Sequence, residues 1–246
     1  MLNAFIWGLL ATSSLVIGGL LGSAFKIGRR TLGTIMAFGA GVLISAVAYE
    51  LGIEAHRLGK GSGYPIVGFF IGALTFFFCD ILIERSGVKN RKSLKASHGE
   101  NMAVPIVLAT ILDGIPESIV IGLGILQGGV VSLAMLIAVF ISNLPESIAG
   151  TAGMKSGKWG LGKIITIWLI IAMICSLASL AGFSLFGHTS DQWLAFIQAF
   201  AGGAILVMLA NTMIPEAYEH GGKLAGLFTV LGFAVSATMV VLESAK

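Results

Sequence analysis

Eight stretches of this chain run for about twenty residues or more with almost no charge, and nothing else constrains its fold as strongly. They lie near 2–24, 34–55, 65–84, 102–126, 128–153, 162–187, 192–218 and 222–243. An α-helix needs about 20 apolar residues to cross the hydrocarbon of a bilayer, and there every backbone N–H and C=O must be satisfied internally. Composition points the same way. The chain is 56% hydrophobic and 11% charged, with a mean hydropathy of +0.95, whereas soluble domains carry about a quarter charged residues. The expected fold class is an all-α polytopic membrane protein of eight transmembrane helices. No basic segment precedes the first run, so it is expected to stay as a span rather than leave as a signal peptide.

The charges set the topology. With the N-terminus outside and the spans alternating, the cytoplasmic loops carry twelve of the Lys and Arg residues and the outer side only Arg57, Lys60 and Lys246. This positive-inside bias predicts an even number of spans with both termini outside, in a cell membrane. The net charge of +3 therefore serves orientation, and no nucleic-acid partner is expected; the lipid bilayer is. The segment 85–101 is polar, lacks an apolar period and reads as a mobile cytoplasmic loop. Cys79 and Cys175 both lie inside apolar runs, which argues against a disulfide framework or a C-x-x-C metal site.

Two repeats are visible. Residues 37–55 align without gaps on 199–217, matching at Ala37/Ala199, Phe38/Phe200, Gly41/Gly203, Ala48/Ala210, Glu54/Glu216 and Ala55/Ala217. These segments are spans two and seven, which run in opposite directions, as an inverted-topology repeat requires. The expected layout is 3+2+3 within a single transporter domain. It comprises a three-helix repeat over 1–84, the loop 85–101, a central helix pair over 102–153 and a second three-helix repeat over 162–246. Gly18-x-x-x-Gly22 and Gly68-x-x-x-Gly72 predict close helix contacts. Packing within the chain is the simpler reading, with a homodimer as the other.

The second repeat is chemical. Pro-Glu-Ser-Ile occurs at 116–119 and again at 145–148, each deep within an apolar run. Both prolines lie roughly 21–26 Å along their spans at 1.5 Å per residue, near mid-membrane. Asp113 and Glu117 share a helix face, as do Ser142 and Glu146, with Asn143 beside them. Interior prolines also release the carbonyls of Leu112, Ile141 and, for Pro215, Asn211. Three carboxylates and several neutral oxygens are thus expected to converge between adjacent helices, with no Lys or Arg inside these spans. A lone Pro-Glu serves as a packing device as readily as a ligand. Two on neighbouring helices, with Asp113 one turn away, point to a cation.

Other polar residues take lesser parts. Glu54 and Glu216 sit at matching positions near span ends, either guarding an entrance or resting at the interface, and Glu50, one turn deeper, and Asn211 are also expected on an entry path. Asp80 and Glu84 are expected to pair with Arg85 or snorkel to water. His98 is expected in solvent, His56 and His220 at the interface and His188 in a turn. Cys79, Cys175, Met36, Met208 and Met213 read as core.

D-G-I-P-E-S at 113–118, S-N-L-P-E-S at 142–147 and N-T-M-I-P-E at 211–216 resemble the metal-binding motifs of the ZIP family of divalent-metal transporters. The resemblance implies eight spans in a three-two-three arrangement and a metal site in spans four and five. By position it assigns Asp113, Glu117, Ser142, Asn143 and Glu146 as ligands, and Asn211 and Glu216 to the span-seven motif. The family often has histidine where Asp113 stands, asparagine where Gly114 stands, and histidine or glutamine where Ser142 stands. An all-oxygen pocket favours Mn²⁺, Fe²⁺ or Mg²⁺ over a high-affinity Zn²⁺ site. The function implied is secondary transport of a divalent cation of the Zn, Mn or Fe class toward the cytoplasm by alternating access. The cation is substrate, and no prosthetic group is expected. A metal-binding membrane sensor without transport, or a proton-coupled carrier of another solute, are the other readings. No H-E-x-x-H or nucleophile–base pair marks an enzyme.

Overall fold

The structure is a computed structural model, and it describes residues 1–85, 103–128 and 132–244. Among these residues there is helix and no strand. The eight helices are α1 (Leu2–Ala24), α2 (Arg29–Gly59), α3 (Tyr64–Arg85), α4 (Ala103–Gly128), α5 (Leu133–Ser156), α6 (Leu161–Leu185), α7 (Asp191–Gly221) and α8 (Leu224–Ser244). Each is long and apolar enough to span a membrane, so this is an integral membrane protein by its helices. The polar segment 85–101 lies, but for its first residue, outside the described residues.

Boundaries follow local chemistry. Helix α5 begins at Leu133 rather than at 128, because Ser132 caps it by accepting a hydrogen bond from the Met135 amide at 3.2 Å. Lys60 takes a left-handed conformation (φ 47°) that stops α2. Pro116 and Pro145 sit inside continuous helices. Helices α2 and α7 each contain a π-helical segment, Val47–Gly52 and Leu209–Met213. These start at positions paired in the sequence match, Val47 with Leu209. Pro215 follows the second segment, but its counterpart in α2 is Ile53, so a proline alone does not cause the widened turns.

Packing divides the helices into two sets. Helices α1, α4, α5 and α6 hold together through the α1–α5, α1–α6 and α4–α6 contacts. Helices α2, α3, α7 and α8 hold together through α3–α7, α2–α8 and α2–α7. The sets meet chiefly where α2 crosses α5 and α4 crosses α7. Glycines make the tight joints. A Cβ on Gly41 would lie 2.8 Å from the Phe233 amide of α8, and one on Gly203 would lie 3.1 Å from the Ala73 amide of α3. Gly41 and Gly203 are a matched pair, and so are Phe38, which backs onto Gly232, and Phe200, which backs onto Gly72. Gly18 and Gly22 rest on α5, and Gly68 and Gly72 on α7. Both small-residue motifs are therefore spent within the chain.

Helices α3 and α8 are peripheral: 22% and 17% of their apolar windows are buried, against 67% for α2 and α5. Their outer faces expose Phe70, Leu74, Phe78, Leu227 and Val230, as a lipid-facing surface requires. Met36, Met208 and Met213 are core, and Cys175 packs in a second cluster around Trp168. Trp168 donates its indole N–H to Thr151 at 2.9 Å, closing α6 onto α5.

Candidate cation site

The twin motif has two faces. Its serines and isoleucines are joints. Ser147 is fully buried, and its one hydroxyl proton has the Leu144 and Asn143 carbonyls within reach at 3.0 and 3.1 Å and Ser14 O of α1 at 3.4 Å. The Ile148 carbonyl backs onto Gly22 of α1, and the Ile119 carbonyl backs onto Gly182 of α6. Ser118, also fully buried, lies beside Cys175 of α6. The repeated Ser-Ile thus reflects two central helices docking in the same way on two flanking ones.

The glutamates lie on the other face. Asp113, Glu117, Ser142, Asn143 and Glu146 are all buried, none more than 6% exposed. Glu117 and Ser142 come together: the single proton of the Ser142 hydroxyl is shared between Val139 O at 3.0 Å and Glu117 Oε1 at 3.5 Å. Helix α2 covers this contact, since Gly39 allows its backbone against Ser142, whose Cα is 3.3 Å from where a Cβ on Gly39 would lie. Asn143 Nδ2 is buried without a hydrogen-bond partner.

Full convergence of the three carboxylates is not found. Among the described residues no three His, Cys, Asp or Glu side chains lie close enough to hold one metal ion. Asp113, Glu117 and Glu146 are each engaged in further interactions in the buried interior. The buried acids Asp80, Asp113, Glu117, Glu146 and Glu216 are accompanied by no buried Lys, Arg or His among the described residues.

The flanking residues separate. Glu50 and Glu54 line a cavity of about 380 Å³ bounded by α2, α4, α5 and α7. Glu54 pairs with Arg57 at 3.6 Å. Its repeat partner Glu216 is instead buried at 8% exposure, and Asn211 is exposed, so neither joins the cavity. Asp80 does not snorkel: it is buried at 6% exposure, because the inner face of α3 packs on α7. The side chains of Glu84 and Arg85, and His98, lie outside the described residues. His56 and His188 are exposed and His220 half-buried.

Sequence reasoning missed three features. Gln127 and Gln198 are joined by a 2.7 Å hydrogen bond between α4 and α7 and line the cavity. Glu243 binds the start of α5 through the Leu133 amide at 3.0 Å and the Ser132 hydroxyl at 3.3 Å. Cys175 sits directly behind Gly114, 2.7 Å from where a Cβ would be. A glutamine inside an apolar run was the legible signal for Gln198. Nothing in the sequence pairs Cys175 with Gly114. No known family model and no curated protein matches this chain.

Proposed function

We propose that this chain is a ZIP-like secondary transporter that carries a divalent cation across the membrane toward the cytoplasm. The observation that carries this reading is the contact of Glu117 with Ser142, which joins the segments 113–118 and 142–147 in the buried interior. Asp113 lies one turn from Glu117, and Glu146 one turn from Ser142, so small rotamer changes bring further oxygens to an ion held there. Glu117, Glu146 and Asp113 neutralise its charge, and Ser142 and Asn143 complete the shell. Oxygen donors of this kind suit Mn²⁺, Fe²⁺ or Mg²⁺.

The matched π segments and glycine joints support an inverted repeat, in which α1–α3 correspond to α6–α8 and α4 to α5. Alternating access then moves the set α1, α4, α5 and α6 against α2, α3, α7 and α8, because the site lies where α5 meets α2. The cavity at Glu50 is the entrance, and Gly39 against Ser142 closes the route beside it.

The test is Mn²⁺ uptake into proteoliposomes. Glu117→Gln and Glu146→Gln keep size and hydrogen bonding but remove charge, so each is expected to abolish uptake with normal reconstitution. Normal uptake by both variants would refute the assignment.

A further inference from the structure

We propose that an anionic phospholipid docks at the corner of the bundle where α1 and α5 end and α6 begins. Its phosphate lies among Lys26, Lys155, Lys158 and Lys163, and its acyl chains run along the outer face of α6.

The sequence makes this corner one-signed. Residues 1–49 and 147–190 contain no Asp or Glu, so α1, the α5–α6 turn and α6 offer these lysines no carboxylate. The acids described near this end, Asp80 on α3 and Glu219 on α7, belong to the other helix set. None of the four lysines has an ion pair among the described residues. At the opposite end of the bundle Arg57 and Lys60 are both paired, with Glu54 and Asp191. Charge is thus answered within the chain at one end and left for a partner at the other.

Local contacts gather the charges. Lys155 Nζ donates to Ser23 O at the end of α1 at 2.8 Å, which leaves two further N–H groups on the ammonium. Lys26 follows that helix end by two residues. Lys158 takes a left-handed conformation (φ 62°) in the turn from α5 into α6. Lys163 Nζ lies 3.8 Å from the centroid of the Trp159 ring, a cation–π contact that positions the ammonium without neutralising it. All four lysines are exposed, and Trp159 is half-buried.

The occupant is a lipid because the corner adjoins the lipid-facing surface. Trp159 stands where a span ends, the level at which indoles sit among headgroups. Beyond it α6 exposes Leu161, Leu169 and Ile170, so an acyl chain meets apolar side chains while its phosphate reaches the lysines. Each lysine close to an anionic membrane surface strengthens attraction roughly fivefold. The docking does not rest on the transport reading.

The experiment uses the whole chain purified in an uncharged detergent, with bound lipid counted by native mass spectrometry. Phosphatidylglycerol should bind in preference to phosphatidylcholine with the same acyl chains, and added salt should weaken it. Lys163→Gln should lower its affinity roughly fivefold. Lys158→Gln should do the same, and its side chain has no hydrogen bond or ion pair among the described residues whose loss could unfold the chain. The double variant should lose roughly 25-fold. Lys60→Gln, at the opposite end, should leave the affinity unchanged. Equal binding of the two lipids, an undiminished affinity in the double variant, or an equal loss in Lys60→Gln overturns the proposal. So does displacement of the lipid by inorganic phosphate, which would make a solution anion the occupant.

Discussion

Gly41 and Gly124 are both helix-interior glycines, yet replacing each with alanine should move stability in opposite directions. On Gly41 a Cβ falls against the Thr229 carbonyl and 2.8 Å from the Phe233 amide, both backbone atoms of α8. Backbone cannot swing aside, so α2 and α8 must separate. Overpacking of this kind costs about 1–3 kcal/mol. For a chain of this size each kcal/mol shifts Tm by about 2–4 °C, so Gly41→Ala should lower it by roughly 2–12 °C. On Gly124 a Cβ meets nothing within 4 Å, and alanine gains up to about 1 kcal/mol of helix propensity. Gly124→Ala should therefore hold or raise Tm. Gly39→Ala is the functional member of the series. Its Cβ meets the end of the flexible Met213 side chain at 3.1 Å within its own helix set, and Ser142 Cα at 3.3 Å across the boundary between the sets. It should slow Mn²⁺ uptake with a smaller loss of Tm than Gly41→Ala. Thermal unfolding by intrinsic fluorescence in detergent and proteoliposome uptake read both quantities. A Gly41→Ala variant as stable as wild type would show that the α2–α8 joint is misplaced.

Three further outcomes are expected. Ser142→His puts an imidazole beside Glu117, and uptake competition should show Zn²⁺ gaining on Mn²⁺; an unchanged ratio would remove Ser142 from the ion's shell. Trp168→Phe deletes the 2.9 Å bond to Thr151 and leaves a buried hydroxyl unsatisfied, lowering stability by about 1–3 kcal/mol, measurable as a fall in Tm. Lys60→Ala breaks an ion pair with Asp191 whose partners are 75% and 56% exposed; such pairs contribute at most about 1 kcal/mol, so Tm should barely change.

Much of the architecture was legible because the bilayer leaves few choices. An apolar run of the right length becomes a helix, and eight such runs became eight helices. The match of 37–55 with 199–217 proved richer than its identities. The paired segments share a π-helical start and the same glycine joints, which packing preserves while side chains drift. The π turns themselves were not legible, since only α7 has a proline near its own. Spacing also put Asp113 with Glu117 and Ser142 with Glu146 on shared helix faces, because period is a local property of a helix, and these residues and Asn143 are buried.

By itself, then, the sequence determined the spans, their apolar faces and the acids that lie within them, all consequences of hydrophobicity and helical period. Only the tertiary structure decided which polar groups meet, because helix crossings depend on where glycines let backbones approach. It brought Glu117 to Ser142 but did not close three carboxylates into one ligand set. It opened a cavity at Glu54 while burying the repeat partner Glu216. It also tied Gln127 to Gln198 and Glu243 to Ser132 across distances along the chain that no local pattern spans.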